Sequence, residues 1–250
     1  MTAEELKEGQ VLLIDKPYRW TSFQVVNKIK HILRHDFELK KIKIGHAGTL
    51  DPLATGLLIV CIGKETKSIE KYQASEKEYS GTFVLGATTP CYDMEKPIDA
   101  TYPIEHITEQ LIKDTANSFL GEIDQVPPIF SAVKINGKRA FDYARKQEEV
   151  EIKSKKIFIK TFEITRIELP EVDFRIECSK GTYIRSLIND IAKNLNNSPN
   201  FFILRKIVNN KQLKKYIHTG KYKGNYTERS NQQTFAIRVR CHAPNRSIYA

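Results

Sequence analysis

Cysteine is scarce in this 250-residue chain and never clustered. Cys61, Cys91, Cys178 and Cys241 stand far apart with no C-x-x-C pair, which excludes a zinc ribbon and a disulfide framework. Buried, reduced thiols are expected. Long apolar runs are missing as well: nothing approaches the ~18–20 residues that span a bilayer. The opening "MTAEELKEGQ" lacks the apolar stretch of a signal peptide. A cytoplasmic protein is expected. There is no phosphate loop, because Gly63-Lys64 is followed by Glu65 where such a loop needs Ser or Thr. No nucleophile elbow frames a Ser-His-Asp arrangement, and His46 with Asp51 is too thin for a metal site. Acids are nearly absent from one end: residues 197–250 hold 11 Lys and Arg but a single acid, Glu228, while the rest of the chain holds 29 of each sign. The whole excess of +10 therefore lies in that segment. A basic tail favours nucleic acid as a partner, and a merely solvated tail has the same composition.

Apolar residues make up 40% of the chain, enough for one sizeable core. Periodicity places a body at 1–196 and a basic segment without clear pattern at 197–250. Thr21 and Gln24 form a possible capping box, followed by Phe23, Val26, Ile29 and Leu33 at helical spacing. "GLLIVCIG" reads as a buried strand. "EYSGTFVLGATT" alternates, with Tyr79, Gly81, Phe83 and Leu85 on one face. Ile107, Leu111, Ile112 and Phe119 mark a helix stopped by Gly121. "PPIFSAVKING" runs into an Asn136-Gly137 turn and "RAFDYARKQ" suits a short helix. "KIFIKTFEITRIEL" and "DFRIEC" are strand-like. Ile184, Leu187, Ile188, Ile191 and Leu195 define an amphipathic helix. Helices and strands mix without a βαβ rhythm, so the expected fold class is α+β with a largely antiparallel sheet flanked by helices.

"GHAGTLDPLATG" holds the most informative residue, Asp51. Asp followed by Pro is a good N-cap and N1 pair, so Asp51 could cap a helix. It could also do chemistry. The surrounding Gly and Ala leave little bulk, so a large ligand can approach the backbone. Pro52 restricts the backbone of Asp51 and so the direction of its carboxylate. His46 and Thr49 add polar groups nearby. Arg185 lies near the start of its helix, where the dipole disfavours a cation by ~0.3–1 kcal/mol, so it is better placed beside an anion: water-exposed against a phosphate, or paired with a buried carboxylate. Tyr79 and Tyr183, at the edges of elements, are either core aromatics or stacking platforms for a base.

Together and in this order, "DKPYRWTSFQVV", "GHAGTLDPLATGLLIVCIGKETK", "KEYSGTFVLGATTPCYD", "QVPPIFSAVKINGKRAFDYAR" and "CSKGTYIRSLINDIA" resemble the TruB family of tRNA pseudouridine synthases, over residues ~11 to ~195. The resemblance implies a pseudouridine-synthase-like fold and the isomerisation of a T-loop uridine of tRNA, at position 55, without metal or cofactor. By motif, Asp51 is implied as the essential carboxylate at C1′ of the sugar and Tyr79 as the ring stacked on the target uracil. Arg185 is implied as the partner of Asp51. His46 would sit against flipped-out nucleotides, Tyr183 would line the uracil site, Leu204 would add a pocket contact, and Lys16 would support the fold nearby. The T-arm of tRNA is the implied partner and a monomer the expected state. A non-catalytic tRNA-binding or tRNA-folding protein on the same scaffold is the alternative. Two departures stand out. Arg19 occupies the glycine of the family's "KP-x-G-x-[ST]", so the turn near Lys16 is expected to differ if that glycine needs a positive φ. Beyond "LRK", the C-terminal segment matches poorly and is either a divergent RNA-binding arm or a sequence altered by a reading-frame change.

Overall fold

The structure is a computed structural model that describes residues 2–146, 148–196, 202–209, 225–230 and 233–240. In chain order the elements are α1 (Ala3–Glu8), β1 (Gln10–Lys16), α2 (Ser22–His35), β2 (Ile44–His46), β3 (Ala54–Ile62), a 3-10 turn (Gly63–Ser68) and α3 (Ile69–Gln73). There follow β4 (Lys77–Leu85), β5 (Ala87–Thr88), β6 (Ala100–Thr101), α4 (Glu109–Ser118), β7 (Gly121–Gln125), β8 (Lys134–Ile135), β9 (Lys138–Arg139) and α5 (Ala140–Lys146). The last are β10 (Lys155–Glu168), β11 (Glu171–Cys178), α6 (Ile184–Asn196), β12 (Phe202–Asn209), β13 (Asn225–Ser230) and β14 (Gln233–Arg240). The chain divides into two compact units, Met1–Lys77 with Val208–Ala250, and Glu78–Ile207. Strands pair antiparallel in both, which bears out the α+β expectation.

In the first unit β3 is flanked by β1 and β2, and β14 and β13 extend the sheet beyond β1. "GLLIVCIG" is the centre of β3, where all but one of nine residues are buried, as a strand with neighbours on both edges and covered faces should be. Val11, Leu13, Ala47, Leu57, Ile59 and Cys61 form one core cluster there. Helix α2 opens on the expected capping box: Gln24 N–H donates to Thr21 Oγ1, and Thr21 N–H donates to Gln24 Oε1. Its core face is Val25, Val26, Ile29 and Leu33. Phe23 was expected on that face and is instead 67% exposed. With 100° per residue, Val25 rather than Phe23 completes the stripe.

In the second unit the sheet order is β4-β11-β10-β7. Phe83, Leu85, Phe162, Phe174, Ile176 and the inner face of α6 share its main core. Each fully buried Leu or Ile of α6 contributes about 1.5–3 kcal/mol, which makes this face the main anchor of the helix. Asn136 and Gly137 turn β8 into β9 with both φ values positive, as a two-residue hairpin requires. Gly121 does not stop α4, which ends at Ser118; it opens β7. Cys61, Cys91 and Cys178 are buried free thiols, as expected; Cys241 lies outside the described residues.

Candidate active site

Asp51 precedes a tight turn, not a helix. Its carbonyl accepts from Ala54 N–H at 3.0 Å, with Pro52 at the second turn position, and the chain then enters β3. The helix-capping reading is thereby overturned, since no helix starts here for Asp51 to cap. The turn is clamped onto the connection between β1 and α2. Lys16 is completely buried, and its ammonium donates to the carbonyls of Pro17, Trp20 and Pro52. Arg19 N–H donates to the Pro52 carbonyl at 2.8 Å. Ser22 Oγ donates to the Leu50 carbonyl and accepts from Leu50 N–H, at 3.1 and 2.9 Å. A buried ammonium is tolerated only when its donors are satisfied, and here three main-chain oxygens satisfy them. Lys16 therefore clamps the turn that bears Asp51.

Arg19 has φ +65°, so it adopts the left-handed conformation itself. For a non-glycine residue this costs of order 1–3 kcal/mol. His46 and Thr49 flank the loop: His46 Nδ1 donates to the Gly48 carbonyl at 2.9 Å, and Thr49 is exposed. Gly48 has φ +110°, and a Cβ added there would meet no atom within 4 Å, so the loop's backbone faces open space.

In the second unit, Arg185 lies in the first turn of α6 and is 94% buried. Among its partners is an anion that sequence reasoning missed. Asp93 Oδ2 is 3.5 Å from Arg185 Nε. The guanidinium also donates to the carbonyls of Cys91 and Phe130, at 3.0 and 3.2 Å. Asp93 Oδ1 accepts from Cys91 Sγ and from Glu95 N–H, each at 3.0 Å. The thiol of Cys91 is pushed up by burial and then by its hydrogen bond to Asp93, so it stays protonated and donating. The only signal for Asp93 in the sequence was an acid lying within one of the five motif blocks.

Tyr79 is on β4, partly buried against the main core. Its neighbour Glu78 is buried and ion-paired with Arg175 of β11 at 3.1 Å, which fixes the strand and hence the side to which Tyr79 points. The Glu78 and Glu163 carboxylates raise the pKa of Arg175. Tyr183 precedes α6. Gln125, fully buried, donates to its carbonyl at 3.0 Å and accepts from its N–H at 2.8 Å. The Lys155 ammonium lies 4.3 Å from the centre of its ring, a cation–π distance. Leu204 is in β12. Among the described residues no group of three or more His, Cys, Asp or Glu could hold a metal ion.

The first unit holds a clamped carboxylate loop, and the second holds a buried guanidinium and two partly buried tyrosines. The family model described as TruB family pseudouridylate synthase (N terminal domain) matches residues 34–184, and so the class is that of the pseudouridine synthases. Over 207 residues the chain is 60% identical to tRNA pseudouridine synthase B of Flavobacterium johnsoniae, covering 82% of this chain and 90% of that one. It is 45% identical over 197 residues to tRNA pseudouridine synthase B of Clostridium kluyveri, covering 79% and 66%. Among solved structures, a chain of a Cbf5-Nop10-Gar1 complex superposes with a TM-score of 0.61 at 29% identity, over 84% of this chain and 51% of that chain. The chain belongs to the TruB family.

Proposed function

We propose that the protein converts the T-loop uridine at tRNA position 55 to pseudouridine, with Asp51 as the essential carboxylate. The observation that carries this reading is the placement of Asp51 on a clamped, non-helical turn within the matched family segment. The reaction breaks the C1′–N1 bond, turns the freed uracil, and joins C1′ to C5. A fixed carboxylate suits that step, either as the nucleophile at C1′ or as the stabiliser of an oxocarbenium-like centre. The C5 proton must then leave, and the ring nitrogen ends protonated, so atoms balance without a cofactor.

Tyr79 stacks on the target uracil and is the candidate base for the C5 proton. Tyr183, His46, Thr49 and Leu204 contact the extruded nucleotides, because a base must leave its stack to be reached. Arg185 supplies positive charge that favours an ionised carboxylate, and Asp93 positions it. The T-arm, recognised by shape and backbone, is the partner. Residues 1–196 form the catalytic part, with 197–250 as its basic extension. The protein acts as a monomer in the cytoplasm; no helix among the described residues is long and apolar enough to cross a membrane.

Unmodified tRNA transcript is incubated with wild type and with Asp51→Asn. Pseudouridine at one T-loop site from wild type alone supports the proposal. Equal tRNA binding with no product from either protein would favour the non-catalytic tRNA-folding reading.

A further inference from the structure

The connection between β1 and α2 carries a surface that packing does not explain. Tyr18 is 47% exposed and Phe23 67% exposed. Arg19, between them in sequence, is exposed, with its guanidinium 5.6 Å from the centre of the Tyr18 ring. Phe23 contributes nothing to the face of α2 that fills the core, since Val25, Val26, Ile29 and Leu33 do that. Arg19 is held in a conformation that glycine adopts without strain. Residues kept in such conformations concentrate where a ligand is met.

We propose that Tyr18, Arg19 and Phe23 form a contact surface for the RNA beside the nucleotide that Asp51 acts on, with Arg19 on a phosphate and Phe23 against an unstacked base. This rests on the reading of the protein as a tRNA-modifying enzyme. Three features favour RNA as the occupant. The stretch 16–35 holds Lys16, Arg19, Lys28, Lys30 and Arg34 and no Asp or Glu, so the potential around it is positive. Arginine is weakly hydrated, and its fork matches phosphate oxygens in pairs. Exposed aromatic rings next to cations are the common platform for single-stranded bases, whatever their identity. The location is fixed by the main chain. Arg19 N–H and the Lys16 ammonium both reach the Pro52 carbonyl, one residue past Asp51. An RNA that offers a nucleotide to Asp51 must therefore carry its neighbouring backbone close to Arg19.

The test uses the full chain and unmodified tRNA transcript, with binding measured across a salt series and turnover measured alongside. Arg19→Gly removes the guanidinium and relieves the backbone, so its melting temperature stays at or above that of wild type. Its Kd for tRNA should rise about tenfold at low salt, its plot of log K against log salt should flatten by about one unit, and kcat should stay within about twofold. Phe23→Ser should raise Kd about five- to tenfold and leave the salt slope alone. Lys113→Ala, an exposed lysine on α4, is the comparison for loss of one charge elsewhere and should change neither quantity. An unchanged Kd and slope in Arg19→Gly overturns the proposal. So does an equal change in Lys113→Ala, or a wild type that binds no tRNA. Failure of the catalytic reading is seen separately, as absence of product from a wild type that binds, and the binding series still decides the role of Arg19.

Discussion

Arg185 Nε lies 3.5 Å from Asp93 Oδ2, and the two side chains are 7% and 5% exposed. Removing one member of such a pair takes a charged partner from the other in a buried setting. Asp93→Ala should therefore cost about 3–5 kcal/mol of stability, read from the urea midpoint. Asp93→Asn keeps the shape and the bond from Glu95 N–H, and should lower kcat well before it raises KM. A loss confined to KM would assign the pair to tRNA affinity instead.

Lys16 should be as sensitive. Lys16→Met retains the stem but orphans the Pro17, Trp20 and Pro52 carbonyls. A loss of roughly 3–5 kcal/mol is expected, as when a buried charged contact is broken. Activity should fall further than stability explains under conditions where the variant remains folded, because the turn bearing Asp51 loses its clamp. A urea midpoint equal to wild type would show that the clamp is dispensable.

Lys155 should give a pH signature. Its burial lowers its pKa in the folded protein, and Tyr183 faces it. Well below the folded value both states hold the proton and the burial cost is fully present. Between the folded value and the ordinary lysine value of about 10.4, the unfolded chain binds more protons, so stability rises with pH. Thermal midpoints at alkaline pH should show this contribution in wild type and lose it in Lys155→Met. Identical profiles would remove Lys155 as its source.

Thiol labelling gives a further check. Burial, helped by the Glu65 carboxylate, pushes the Cys61 thiol up to about 11, and the residue is fully buried. At pH 8 roughly one molecule in a thousand would carry the thiolate even without steric exclusion. Iodoacetamide should therefore leave Cys61 and Cys91 intact in the native protein and modify both in denaturant. Rapid native labelling at pH 8 would contradict the burial of these two thiols.

Much of this was legible from periodicity. The capping box of α2, the apolar run of β3, the alternation of β4 and β11 and the stripe of α6 all follow local rules, and the structure follows them. The errors have local causes too. Asp51-Pro52 satisfies the rules for a helix start and for a β-turn alike, and only the strand that follows distinguishes them. Phe23 fell near enough to the helical stripe to pass as core, although its neighbour Val25 fits better. Asp93 was missed because a buried carboxylate is defined by a partner 92 positions away in sequence, which no window can see. Lys16 and Arg19 became intelligible only through the Pro52 carbonyl, a main-chain atom to which the sequence assigns no distinguishing letter.

That last contact has a further meaning. The ammonium of Lys16 grips peptide oxygens, and peptide oxygens are the same in every residue. The clasp is therefore indifferent to which side chains decorate positions 18 and 20. Those positions can be rewritten to suit a different RNA while the carboxylate keeps its bearing. A lysine sealed inside the protein thus leaves the outer rim of the loop free to vary.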